Sequence, residues 1–251
     1  MRKFVLGFSL CLVVFLVTAS SVMGAPVPCP SSGTGTGGAA SYADLLATNP
    51  GGGCFIADKL FTSFTFAANA TGGATALTAN QMSYLIDNLV PVGNGTVLVG
   101  FEFSMSLNAS AGQSNDIHIT YNVQQINGVA DITSVHNLLT GIGINGGTAS
   151  VAEVWCTGLN LTGTCNALNT SNPGNPHNDA SFAGISQLSI SKDINVTAGN
   201  GFASISGLRN AIDETRGGTT PGVPEPATVS YLLGGAGLLA LGWLRRKSTK
   251  S

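Results

Sequence analysis

The sequence predicts an all-β body, an antiparallel β-sandwich of jelly-roll type, with one short helix near its start. Three observations carry that prediction. In Val97–Leu107, the residues Val97, Val99, Phe101, Phe103, Met105 and Leu107 share one face, opposite Leu98, Gly100, Glu102, Ser104 and Ser106. Period-two alternation of this kind marks a half-buried antiparallel strand. Ile117, Ile119, Tyr121 and Val123 repeat it. Many short apolar runs, separated by turn residues and almost free of helical periodicity, favour a sandwich, with a barrel as the alternative.

The elements follow in chain order. Arg2 and Lys3 precede an uncharged run, Phe4–Val17, and a small, polar stretch to Gly24. That is the layout of a secretory signal peptide over 1–24, cut before Ala25 by a signal peptidase after passage through the Sec translocon. Residues 25–40 (APVPCPSSGTGTGGAA) read as a flexible lead-in. A body over 41–210 then opens with Ser41-Tyr42-Ala43-Asp44, a capping-box pattern ahead of a helix over Tyr42–Ala47, which Asn49-Pro50-Gly51-Gly52-Gly53 stops.

Cys54–Phe66 reads as β-structure with a bulge or turn near Asp58-Lys59. After the two alternating strands, Asn127-Gly128 is a tight-turn signal. Further strands are predicted at Ile132–Leu139, Ala149–Cys156, Gln187–Val196 and Phe202–Leu208, with Gly199-Asn200-Gly201 turning the chain before the last. Thr157–Ala180, rich in Asn, Thr, Pro and Gly, reads as a loop, and 211–222 as a linker.

Charge and cysteine content narrow the class. Between Ala25 and Gly222 four basic side chains (Lys59, Lys192, Arg209, Arg216) face eleven acidic ones, a net of −7 that the whole-chain value of −2 conceals. An acidic body without a basic stripe excludes a nucleic-acid partner. Cys29, Cys54, Cys156 and Cys165 remain after signal cleavage, and an even count in an exported chain favours disulfides. Of three possible pairings, Cys29 with Cys54 and Cys156 with Cys165 closes the shortest loops and is preferred. No Cys-x-x-Cys occurs, and His118, His136 and His177 are scattered along the chain, so neither a metal nor another cofactor is predicted.

At the other end, Val223-Pro224-Glu225-Pro226 precedes an apolar run, Ala227–Leu244, and then Arg245-Arg246-Lys247. As a helix, the 18 residues of that run span about 27 Å, close to a bilayer core of about 30 Å. The basic cluster stays cytoplasmic and leaves the body on the opposite side. Pro224 and Pro226 keep the preceding backbone extended just outside the membrane.

This order resembles the PEP-CTERM sorting signal, here over 223–251. The resemblance implies recognition of Pro224, Glu225, Pro226, Arg245 and Arg246 by an exosortase, a membrane protease-transpeptidase of Gram-negative bacteria often encoded beside exopolysaccharide genes. It makes the helix over 227–244 a transient membrane anchor. The body also resembles a recurrent group of such proteins in Gly52-Gly53-Cys54-Phe55-Ile56-Ala57-Asp58-Lys59-Leu60-Phe61, Glu153-Val154-Trp155-Cys156 and Lys192-Asp193-Ile194. That likeness implies fold and export, and no activity.

Catalytic signatures are missing from the body. It holds no Gly-x-Ser-x-Gly, His-Glu-x-x-His or Gly-x-x-x-x-Gly-Lys-Ser/Thr. Glu102 and Glu153 are the pair to weigh for a glycosidase, but each sits in a strand pattern among ordinary solvent-facing neighbours. Asp116, Asp179 and Asp193 are calcium candidates without a calcium-loop motif. His118 reads as a surface residue, and Trp155 as packed against the Cys156 disulfide. The expected function is a non-enzymatic structural or interaction protein of the cell surface or exopolysaccharide matrix. A carbohydrate-binding module that takes extracellular polysaccharide is the alternative, and an exported hydrolase the last choice.

Overall fold

The structure, a computed structural model, describes residues 25–91, 96–126 and 130–216. The predicted signal peptide, the sorting tail with its helix, and the Asn127-Gly128 turn lie outside those residues. Among the described residues, ten strands form one hydrogen-bonded sheet. They are β1 (Val27–Pro28), β2 (Cys54–Ile56), β3 (Lys59–Thr71), β4 (Ser83–Pro91), β5 (Thr96–Ser110), β6 (Ser114–Gln125), β7 (Ala130–Cys156), β8 (Cys165–Asn172), β9 (His177–Ile185) and β10 (Gln187–Arg216). One α-helix, α1 (Tyr42–Thr48), precedes β2.

Two very long strands organise the sheet. β10 pairs antiparallel with β7 along its whole length, while its other edge takes β6 beside Gln187–Thr197 and β5 beside Phe202–Thr215. The ladders shift register at the same level, between Ala198 and Phe202. Glycine permits this corner. Gly146 has φ +72°, and a Cβ on Gly201 would sit 1.8 Å from the Asn145 carbonyl oxygen. The sheet therefore folds over, and rings from strands that are not neighbours meet inside it. Phe61 of β3 lies 4.9 Å from Phe101 of β5, and Phe101 lies 6.0 Å from Tyr121 of β6, centroid to centroid.

The alternating faces of β5 and β6 behave as their pattern predicts. Phe101, Phe103, Leu107, Ile117, Ile119 and Val123 are fully buried. Helix α1 adds Tyr42, whose ring packs on Phe64, Phe66 and Phe103. The Ser41 amide donates to the Asp44 carboxylate at 2.8 Å, which fixes the start of the helix. In β3 the irregularity falls at Thr62–Thr65, where Ser63 adopts φ 56°, and Ala57-Asp58 forms the turn between β2 and β3.

Several expectations need correction. The lead-in is tied down: Val27 and Pro28 pair parallel with Cys54 and Phe55, and Cys29 is buried. Thr157–Ala180 is not one loop, because β8 lies within it and β9 begins inside it at His177. Their backbone groups are satisfied by pairing with β7, so their polar composition did not prevent strand formation. Residues 211–216 are the end of β10, held by the burial of Ala211, Ile212 and Glu214. β4 shows no clean pattern because Leu85 points outward, 64% exposed, while Tyr84 is buried.

Candidate functional site

The Glu153 and Lys192 side chains are both fully buried and form an ion pair across the β7–β10 ladder, where they stand directly opposite. Glu153 is therefore a paired, buried carboxylate, and its same-parity strand neighbours are not solvent-facing. Glu153 shares parity with Val151 and Trp155, and Lys192 with Ile190, Ile194 and Val196, so both belong to the inward face. Burial pushes the Glu153 carboxyl up and the Lys192 ammonium down, and each partner pulls the other back toward its charged form. Tyr121 donates to Asn210 Oδ1 in the same interior, and burial, with Glu153 nearby, raises its hydroxyl well above the usual range. A second buried group joins Lys59 Nζ to Glu214 Oε2 at 2.6 Å and Asp58 Oδ2 at 2.8 Å.

Glu102 and Glu153 do not converge. Glu102 is on the outward face of β5 opposite Arg209, which pairs with Asp87, whereas Glu153 is inside. The three calcium candidates also separate. Asp116 and Asp193 meet across β6 and β10, and burial together with the Asp193 carboxylate raises Asp116 to about 7. Asp179 is on β9. His118 is exposed, with Nε2 2.9 Å from Ser191 Oγ. Trp155 is buried and stacks on Phe182 at 4.4 Å, with Cys156 beside it in sequence. Cys29 is joined to Cys54, and Cys156 to Cys165.

The structure assembles one cluster that the sequence reading left scattered. His136 on β7 is the register partner of Asp179 on β9, and His177 stands two residues before Asp179 on the same face. Asp179 Oδ1 lies 2.7 Å from His136 Nδ1 and 2.9 Å from His177 Nε2. On the other side His136 Nε2 meets Asp213 Oδ2 at 2.9 Å and Ser134 Oγ at 2.8 Å. Asp213 comes from β10, so three adjacent strands supply the group. The alternation around His136, with Val135 and Asn137 buried, indicates that it faces outward, but only the pairing of β9 to β7 brings the others to it.

A shallow cleft of about 230 Å³ opens elsewhere, bordered by Ser63, Thr65, Thr120, Asn122, Asn160 and Ser189 together with Tyr121, Leu161 and Ile190, and the surface it exposes is mostly apolar. Asn122 and Asn160 bind each other there, through Asn122 Nδ2 to Asn160 Oδ1 and the Asn160 amide to Asn122 Oδ1, both at 2.8 Å.

The described residues thus define an all-β, disulfide-bonded body. The chain continues beyond it, and residues 222–247 match the family model of the PEP-CTERM protein-sorting motif. The chain thus carries a PEP-CTERM protein-sorting motif over these residues. The motif implies an exported, surface-directed chain sorted by an exosortase, and all five predicted recognition residues fall within the match, outside the described residues. No curated protein matches the chain. Among solved structures, TmCBM61 in complex with β-1,4-galactotriose aligns at 8% identity and a TM-score of 0.28, covering 51% of this chain and 86% of that one. The enzymatically active domain of tailspike protein 4 of bacteriophage CBA120 aligns at 13% identity and a TM-score of 0.27, covering 59% of this chain and 19% of that one. At such TM-scores neither likeness establishes anything about fold or ligand.

Proposed function

We propose that the chain is a structural or interaction protein of the cell surface or exopolysaccharide matrix of a Gram-negative-type bacterium, exported by its N-terminal signal and sorted and cut by an exosortase. The single observation that carries this is the sorting motif at residues 222–247. Two disulfides support it, because such bonds persist in oxidising, extracytoplasmic compartments. In this reading the folded sheet is a jelly-roll-like sandwich, the segment over 227–244 is a temporary membrane anchor, and the body works without catalysis.

Replacement of Pro224, Glu225 and Pro226 by alanine tests the reading in an exosortase-bearing host. The variant should be exported but accumulate as an uncut, membrane-bound form. Unchanged release to the surface would refute the role of the motif.

Polysaccharide binding is the second reading, favoured by an open cleft that sets the Asn122 and Asn160 amides beside a mostly apolar lining. Retention of the exported protein on the host's own exopolysaccharide, lost on Asn160→Ala, would support it; no retention on any polysaccharide would exclude it.

A further inference from the structure

His136, His177 and Asp179 present three metal-ligating atoms within 4.8 Å of one another. We propose that they form a binding site for a divalent transition-metal ion of zinc type, through His136 Nδ1, His177 Nε2 and Asp179 Oδ1. Imidazole nitrogen and carboxylate oxygen suit such an ion, at about 2.0–2.2 Å from each. Tetrahedral ligands at that radius stand about 3.3 Å apart. Asp179 Oδ1 already lies 2.7 and 2.9 Å from the two nitrogens, so a small opening of the cluster admits the ion.

Independent support comes from the far side of His136. A ligating histidine normally donates its other ring N–H to a carboxylate, which fixes the tautomer and aims the lone pair at the metal. Asp213 Oδ2 occupies that position, 2.9 Å from His136 Nε2, with Ser134 Oγ at 2.8 Å. Asp213 therefore acts as a positioning residue that leaves Nδ1 free to ligate. The backbones are held as well: His136 and His177 sit on paired strands, and the Pro176 carbonyl accepts the Leu139 amide at 2.8 Å. The His177 side chain is 53% exposed and that of Asp179 38%, so the ion is reached from solvent and water completes its coordination.

The test uses the full chain, purified in detergent and stripped of metal, titrated with Zn²⁺ by calorimetry and with Co²⁺ by visible absorption. One Zn²⁺ per chain is expected, with Co²⁺ giving the intense bands of a low-coordinate site. His177→Ala, whose side chain is too exposed to be needed for folding, should weaken binding at least tenfold and leave the metal-free unfolding midpoint unchanged. Asp213→Asn should weaken binding by about 10- to 100-fold and keep the Co²⁺ spectrum at saturation, a pairing that a purely structural role would not produce. His118→Ala should bind as the wild type does. The proposal is overturned if no stoichiometric binding occurs up to millimolar Zn²⁺, if His177→Ala binds as tightly as the wild type, or if His118→Ala abolishes binding.

Discussion

Lys192→Met isolates a charge that the fold keeps entirely from water. The substitution preserves most of the side-chain volume but leaves Glu153 fully buried without its cation. Breaking a buried pair on one side costs about 3–5 kcal/mol, a large share of a domain's net stability. Replacing both members, as Lys192→Met with Glu153→Leu, removes the uncompensated charge and should return stability to within about 1–2 kcal/mol of the wild type. The penalty of the single variant should also depend on pH. Burial already raises the Glu153 carboxyl, and a group with a raised folded pKa loses stability as pH rises from its unfolded value through its folded one. Lys192→Met should therefore be less damaging near pH 4 than near pH 8. Urea unfolding followed by circular dichroism, across a double-mutant cycle at both pH values, gives these energies. A single-variant cost below about 1 kcal/mol, or a double variant as unstable as the single, would refute the reasoning.

Three further predictions use the same unfolding assay. Replacing Cys29 and Cys54 by serine should cost about 3–4 kcal/mol, and the Cys156–Cys165 pair about 1 kcal/mol less, because the sequence separations are 25 and 9 residues. Asp116→Asn should stabilise the protein at pH 8 by about 1 kcal/mol after solvent screening. The gain should vanish below about pH 4, because wild-type Asp116, raised to about 7 by burial and Asp193, is then protonated in both folded and unfolded states. Gly53→Ala should cost about 2 kcal/mol or more, and Gly37→Ala about 1 kcal/mol. Both have positive φ, but only at Gly53 would the Cβ strike a backbone oxygen, 2.1 Å from Phe61 O, whereas Gly37 faces open space.

Where one strand carries its own pattern, the sequence was a sound guide. Phe101 to Leu107 and Ile117 to Val123 alternate because one side of each faces the folded interior, and this needs no knowledge of partners. Charge disguises the pattern elsewhere: Lys192 and Glu153 occupy inward positions, which only their parity with the buried apolar neighbours reveals. β8 and β9 were illegible for a different reason. Their stability comes from the ladder with β7, so apolar content does not announce them. The His136–His177–Asp179 cluster inherits that blindness. His177 and Asp179 share a face only once 177–185 is known to be a strand, and His136 joins them only through the register. Local cysteine pairing, by contrast, followed from loop length alone.

The central claim, that the tail is a sorting signal cut by an exosortase, is tested most directly by the intact mass of the protein recovered from the surface of an exosortase-bearing host. The account predicts a chain that begins at Ala25 and has lost the residues after about Pro226, with the uncut mass returning when the exosortase is deleted. Surface protein that retains Trp243 and Arg245 in the presence of an active exosortase would contradict it.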